Sequence, residues 1–219
     1  MKSELIKRIL SSIILIPIAL FFIIKGSFLF NFFILICFLI TVYEWHIMSK
    51  KKPYRLLGLI FLSISFFCIY KLRNDFESDY INLLFVAIIC VSTDIGGYIF
   101  GRTFQGPKLT KISPKKTYSG MIGGFILSII SATIFFNNAF FFNDGAKELT
   151  LIIFIYVLLI SAISQLGDII ISYFKRLSKI KDTGTIIPGH GGLLDRIDGM
   201  VFAFPFSYLI VLTNFFEYL

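Results

Sequence analysis

One stretch, Ser172 to Asp198, carries residue types suited to phosphate and metal chemistry in an otherwise apolar chain. It holds the cations Lys175, Arg176, Lys179, Lys181 and Arg196, the carboxylates Asp182, Asp195 and Asp198, and His190, one of only 2 histidines. With Asp168 just upstream, Ser172 and Lys175 complete an i, i+4, i+7 spacing, so one helical face presents a carboxylate, a hydroxyl and an amine. Asp195 and Asp198 follow at i, i+3, which places both on one face of the next helix. Carboxylates converging from different helices make an oxygen-rich site of the kind that suits Mg²⁺. Between them, Gly184, Pro188, Gly189, Gly191 and Gly192 fix sharp turns and let backbone N–H groups approach a ligand closely. His190, bracketed by glycines, is expected to face that ligand.

A second stretch has matching chemistry. Asp94 lies inside an apolar run, eight residues before Arg102, or about 12 Å at helical rise. A carboxylate at that depth must pair with a cation or metal, face a wet cavity, or be satisfied by Arg102 or a nearby hydroxyl. The loop from Gly101 to Gly120 carries Arg102, Lys108, Lys111, Lys115 and Lys116 among the hydroxyls of Ser113, Thr117 and others. Point charges from Lys, a fork from Arg and hydroxyl donors are the groups that hold phosphates. No G-x-x-x-x-G-K-[ST] sequence occurs, which argues against a Walker-type nucleotide site. Gly97 and Gly101, like Gly120 and Gly124, have the spacing of close helix packing.

The elements that must position these groups are membrane helices. Of 219 residues, 57% are hydrophobic and 16% charged, and the apolar residues run in long blocks rather than at helix or strand periods. Seven spans are expected, at 9–24, 28–43, 56–70, 81–100, 121–142, 149–171 and 200–216. Counted over alternate loops, 17 of the 21 Lys and Arg fall on one side and 4 on the other. That bias predicts a cytoplasmic N-terminus and places both basic loops in the cytoplasm. The formal charge of +8 is thereby accounted for without a nucleic-acid partner. The N-terminal apolar run has no small-residue cleavage site after it and reads as a retained helix. Cys37, Cys68 and Cys90 lie in apolar runs without metal spacing and read as packing residues. Glu44, Trp45 and His46, at the end of span two, read as interfacial side chains. The expected fold is thus all-α and polytopic, with residues 1–80 as a three-span scaffold and 81–219 as a four-span catalytic part.

Ser172-x-x-Lys175-Arg176, Lys181-Asp182, Pro188-Gly189-His190-Gly191-Gly192 and Asp195-Arg196-x-Asp198 together resemble the motif of the phosphatidate cytidylyltransferase (CDP-diacylglycerol synthase) family. Asp94, Gly101-Arg102 and Ile112-Ser113-Pro114-Lys115-Lys116-Thr117 resemble a second stretch of that family. Two positions depart from it: Ser119 stands near a usual acid, and Gly199 near a usual serine. The chain is also short for the family at its N-terminal end. The resemblance implies that phosphatidate and CTP yield CDP-diacylglycerol and pyrophosphate at a plasma (inner) membrane, with the site facing the cytoplasm. It implies Mg²⁺, with a second cation beside it, held by Asp168 and Asp195 and assisted by Asp198 and Asp94. Lys175, Arg176 and Arg196 would hold phosphates. His190, Gly191 and Gly192 would line the nucleotide site, with Ser172, Lys181, Asp182 and Arg102 nearby. The loop carrying Ser113, Lys115, Lys116 and Thr117 would close over it. A homodimer is implied by the resemblance alone.

Two other readings fit part of the pattern. A CTP-dependent polyprenol kinase would also join CTP to a membrane lipid, but would release CDP. A transporter would place carboxylates at mid-membrane between inverted repeats, whereas these cluster toward one surface and the halves show no repeat.

Overall fold

The computed structural model describes residues 2–74, 80–110, 113, 116–137, 150–187, 189 and 191–213, with side chains from residue 13 onward. Their helices run in the order α1 (Lys2–Lys25), α2 (Ser27–Met48), α3 (Arg55–Asn74), α4 (Ile81–Phe104), α5 (Tyr118–Phe136), α6 (Leu151–Leu177), α7 (Leu194–Ile197) and α8 (Met200–Leu212). Among them the only β-type pairings are two isolated bridges, Lys108 with Thr117 and Ile187 with Gly191. The fold is all-α.

Five helices, α2 to α6, are long and apolar enough to cross a membrane. The first and last apolar segments, Ile13–Lys25 and Met200–Leu212, are shorter. Two boundaries differ from the sequence expectation for identifiable reasons. Helix α5 begins at Tyr118 because Thr117 caps it, its hydroxyl accepting from Gly120 N at 3.1 Å. Helix α6 continues to Leu177, past the apolar run, and Lys175 in its last turns points back into the protein rather than into water.

Small residues set the packing around the site. Helices α4 and α5 meet backbone to backbone: a Cβ on Gly120 would sit 2.7 Å from the Gly97 carbonyl oxygen, and one on Gly96 would strike the Gly123 carbonyl. Buried hydroxyls then tie helix to helix, as expected where no water competes. Ser92 donates to Ser131 at 2.7 Å, Thr93 to Ser161 at 2.8 Å, and Ser65 to the Val201 carbonyl at 2.6 Å. Tyr156 and Ser207 share a hydrogen bond of 2.7 Å. At the opposite end of the molecule from the polar segment, Arg73 donates to the Ile23 carbonyl at 2.9 Å and closes the end of α1. Gly26 makes room for it at φ +64, since a Cβ there would strike the guanidinium.

A cavity lined by five carboxylates

Near the C-terminal ends of α4 and α6 lies a cavity of about 470 Å³, within the usual range for small-molecule sites. Helix α4 contributes Asp94, α6 contributes Asp168 and Lys175, and the segment after α6 contributes Asp182, Asp195, Arg196 and Asp198. The loop before α5 adds Ser113, Lys116 and Thr117. Ten residues singled out from the sequence therefore share one space, from Asp94 to Asp198 along the chain.

The charges inside are arranged as cation–carboxylate pairs. Lys116 Nζ pairs with Asp168 at 2.5 Å and donates to the Gln165 carbonyl at 3.3 Å. Ser172 donates to the other oxygen of Asp168 at 3.2 Å. Lys175, only 8% exposed, reaches one turn further and pairs with Asp195 Oδ1 at 2.8 Å and Asp198 Oδ2 at 3.8 Å. Asp94 is open to the cavity and, among the described residues, makes no hydrogen bond or ion pair. Arg102 does not satisfy it, donating instead to the Tyr98 hydroxyl at 2.9 Å.

The two carboxylates after α6 behave differently because their surroundings differ. The Oδ2 atom of Asp195 accepts from Thr183 N at 2.7 Å, Gly192 N at 2.9 Å and the Thr183 hydroxyl at 3.1 Å. Burial pushes this carboxyl up, but Lys175 and the N–H groups of Gly192 and Thr183 outweigh it, and its pKa falls below the ordinary value. The Thr183 and Gly192 N–H groups, with the Thr183 hydroxyl, hold Oδ2, which leaves Oδ1 to Lys175, itself part of the cavity lining. Asp198 is pushed the other way, well above the ordinary value, by burial and by the charges of Asp168 and Asp94, with Lys175 offsetting only part.

Turn residues make that geometry accessible. Gly191 adopts φ +87, and a Cβ on it would lie 2.8 Å from Asp195 Oδ2. A side chain on Gly192 would strike the Thr183 hydroxyl. The segment enters α7 as a single helical turn before α8, so Asp195 and Asp198 do not begin a long helix, yet both still reach Lys175.

Other expected residues stand outside the cavity lining. Arg176 donates to the Ile180 carbonyl at 3.2 Å and is exposed, as is Lys181. Lys115 and His190 lie outside the described residues. Ser119, where the resemblance places an acid, donates to the Gln105 carbonyl at 3.0 Å and staples the loop start. Gly199, where it places a serine, packs so tightly on Ser164 that a Cβ would lie 2.8 Å from the Ser164 carbonyl.

Glu44 is the residue that sequence reasoning left at an interface. It is 1% exposed, and its carboxylate accepts from Leu193 N and Leu194 N, each at 2.8 Å, and from the Thr183 hydroxyl at 3.0 Å. The one available signal was its type: α2 contains no other carboxylate.

Comparison with known proteins settles the family. A model of the Cytidylyltransferase family matches residues 6–77 and 56–214. The chain belongs to that family. It is 36% identical over 212 residues to the phosphatidate cytidylyltransferase of Rickettsia bellii, covering 95% of this chain and 91% of that protein. The corresponding protein of Rickettsia felis is 34% identical over 212 residues, covering 95% and 93%. That of Bacillus subtilis is 36% identical over 160 residues, covering 71% and 56%. Family membership and the long apolar helices together make this a multi-pass membrane protein.

Among the described residues, no three His, Cys, Asp or Glu side chains converge as a ready-made metal cluster. The donor chemistry nevertheless fits a hard cation. The acidic donors are all carboxylates, and two ammonium groups already stand against them where positive charge is required. Mg²⁺ commonly binds through one or two carboxylates, with phosphate and water completing its shell.

Proposed function

We propose that this chain is a phosphatidate cytidylyltransferase, joining CTP and phosphatidate into CDP-diacylglycerol with release of pyrophosphate. The observation that carries this reading is the convergence of Lys116–Asp168 and Lys175–Asp195 on one cavity, in a chain related over nearly its whole length to proteins of that name. A phosphate oxygen of phosphatidate forms a bond to the α-phosphorus of CTP, and the bond from that phosphorus to the departing pyrophosphate oxygen breaks. Two polyanions must meet, so the protein's task is to place them and to balance their charge. Lys116, Lys175 and Arg196 supply fixed positive charge at the cavity. Asp168 and Asp195 would hold Mg²⁺ and a second cation, assisted by Asp198 and Asp94. A metal held by these carboxylates would supply positive charge to offset the negative charge developing on the leaving pyrophosphate.

The same reading gives the arrangement in the bilayer. Seven spans, with the short first and last helices completing the five long ones, would put the N-terminus and the cavity at the cytoplasmic face of the plasma membrane. Residues 81–219 would carry the catalytic groups and residues 1–80 would support them. Pairing of two copies belongs to this reading through the resemblance alone.

The test is pyrophosphate release by purified protein in detergent. Release is expected only when CTP, phosphatidate and Mg²⁺ are all present. CDP formed with a polyprenol acceptor would replace this reading with a kinase.

Proton coupling provides a second check. Asp198 holds its proton more tightly than an ordinary carboxylate, and a metal ligand must give its proton up. Mg²⁺ binding is therefore expected to release protons and to tighten as pH rises through the Asp198 titration. Calorimetry in two buffers of different ionisation enthalpy measures that release; identical heats would exclude Asp198 from the metal's surroundings.

A further inference from the structure

Glu44 is not part of the cavity lining, yet its carboxylate is fully engaged. Its Oε1 takes Leu193 N, and its Oε2 takes both Leu194 N and the Thr183 hydroxyl. Those partners lie on the two arms of the segment that carries Asp195. One arm supplies Thr183, whose N–H bonds Asp195 Oδ2 at 2.7 Å; the other supplies the turn from Gly192, whose N–H bonds it at 2.9 Å. Glu44 therefore pins both arms to the end of α2.

The Thr183 hydroxyl sits between the two carboxylates, 3.0 Å from Glu44 Oε2 and 3.1 Å from Asp195 Oδ2. It has a single proton to share. The arrangement leaves no slack: a Cβ on Gly184 would come within 2.9 Å of Glu44 Oε1, and one on Gly192 would strike the same carboxylate. The end of α2 is itself fixed. Trp45 donates to the Arg55 carbonyl at 3.0 Å and packs edge-on against Phe174 of α6, with centroids 5.3 Å apart. Tyr54 and Ser178 share a hydrogen bond of 2.9 Å just beyond.

We infer that Glu44 is a positioning residue for the reaction, acting through Thr183 and the 192–194 turn to hold Asp195 with Oδ2 occupied and Oδ1 left to Lys175. A group in the N-terminal part of the chain thus sets the orientation of a carboxylate that would bind the metal. This rests on the cytidylyltransferase reading for its kinetic consequences, though not for its geometry. Partners behind a metal ligand typically change affinity or activity by about 10–100-fold when removed.

The experiment compares Glu44→Gln, Thr183→Val, Thr183→Ser and the Gln/Val double variant with the unaltered protein. The readouts are kcat, KM for each substrate, the Mg²⁺ concentration giving half-maximal rate, and the rise in melting temperature on adding Mg²⁺. E44Q and T183V are each expected to lower kcat by about 10–100-fold and to raise the Mg²⁺ requirement, with KM for phosphatidate little moved. T183S should recover most of what T183V loses. The double variant should lose little more than the worse single one, because both cut the same linkage. Unchanged Mg²⁺ dependence in E44Q and T183V would overturn the inference. So would equal losses in T183S and T183V, a comparison that decides the matter even if E44Q does not fold. An unaltered protein that releases no pyrophosphate would remove the cytidylyltransferase reading instead. The Mg²⁺-induced shift in melting temperature would then still discriminate among the variants.

Discussion

Asp195→Asn is expected to reduce pyrophosphate release from CTP and phosphatidate by about 10²–10³-fold while leaving the protein folded. The two oxygens of Asp195 do different work, which is why these effects separate. Oδ2 is held by Thr183 N, Gly192 N and the Thr183 hydroxyl. The asparagine carbonyl can accept all three, so the amide has only one orientation available and the turn survives. The NH₂ group must then occupy the position of Oδ1, against Lys175 Nζ, which lies 2.8 Å from that oxygen in the native protein. Lys175 can turn to Asp198, already 3.8 Å away. What disappears is the anionic oxygen beside Lys175, and with it the place for a divalent cation beside the phosphates. Thermal unfolding and the size-exclusion profile check the fold, and the release assay checks the chemistry. Substantial activity in a folded D195N protein would rule out Asp195 as a metal ligand.

The residues show which parts of this structure could be read in the sequence. Long apolar runs made α2 to α6 plain, because a helix that satisfies its own backbone is one of very few ways through lipid. The i, i+4, i+7 spacing of Asp168, Ser172 and Lys175 was equally legible, since helical period alone puts them on one face; Ser172 does bond Asp168. The spacing could not show that Lys175 turns away from Asp168 toward Asp195 and Asp198, or that Lys116, from another loop, takes its place. Which carboxylate a lysine chooses is decided by packing between helices far apart in sequence. Glu44 was beyond reach for the same reason. A carboxylate beside Trp45 and His46 at a helix end looks like an interfacial group, and its acceptors' partners are backbone N–H groups 149 and 150 residues away. Backbone donors have no sequence signature. The one-turn α7 was hidden as well, because four residues are too few to show a period.

Lys175→Met is expected to destabilise the metal-free protein by about 3–5 kcal/mol at neutral pH, the usual cost of removing one partner from a buried charge pair. Methionine keeps much of the unbranched stem, so the loss is chiefly of charge. Asp195 and Asp198 would then face each other without the ammonium that now stands between them. Asp198 is already raised by burial and by neighbouring carboxylates, with Lys175 offsetting part of that. Without the lysine its pKa must climb further. A carboxyl that binds its proton more tightly in the native than in the unfolded state gains stability as pH falls through its native-state pKa and loses it as pH rises. The stability gap between K175M and the unaltered protein should therefore narrow on acidification, over the window between the ordinary carboxylate value and the raised one. Below that window the unaltered protein also weakens, because Asp195, whose pKa is lowered, contributes stability that is lost as it takes up a proton. Mg²⁺ should stabilise K175M more than the unaltered protein, since a divalent cation supplies the charge that was removed and no longer competes with the lysine. Melting curves in detergent across pH, with and without Mg²⁺, measure both effects. A gap that widens in acid, or Mg²⁺ that favours the unaltered protein, would mean that Lys175 is not the counterion on which these two carboxylates depend.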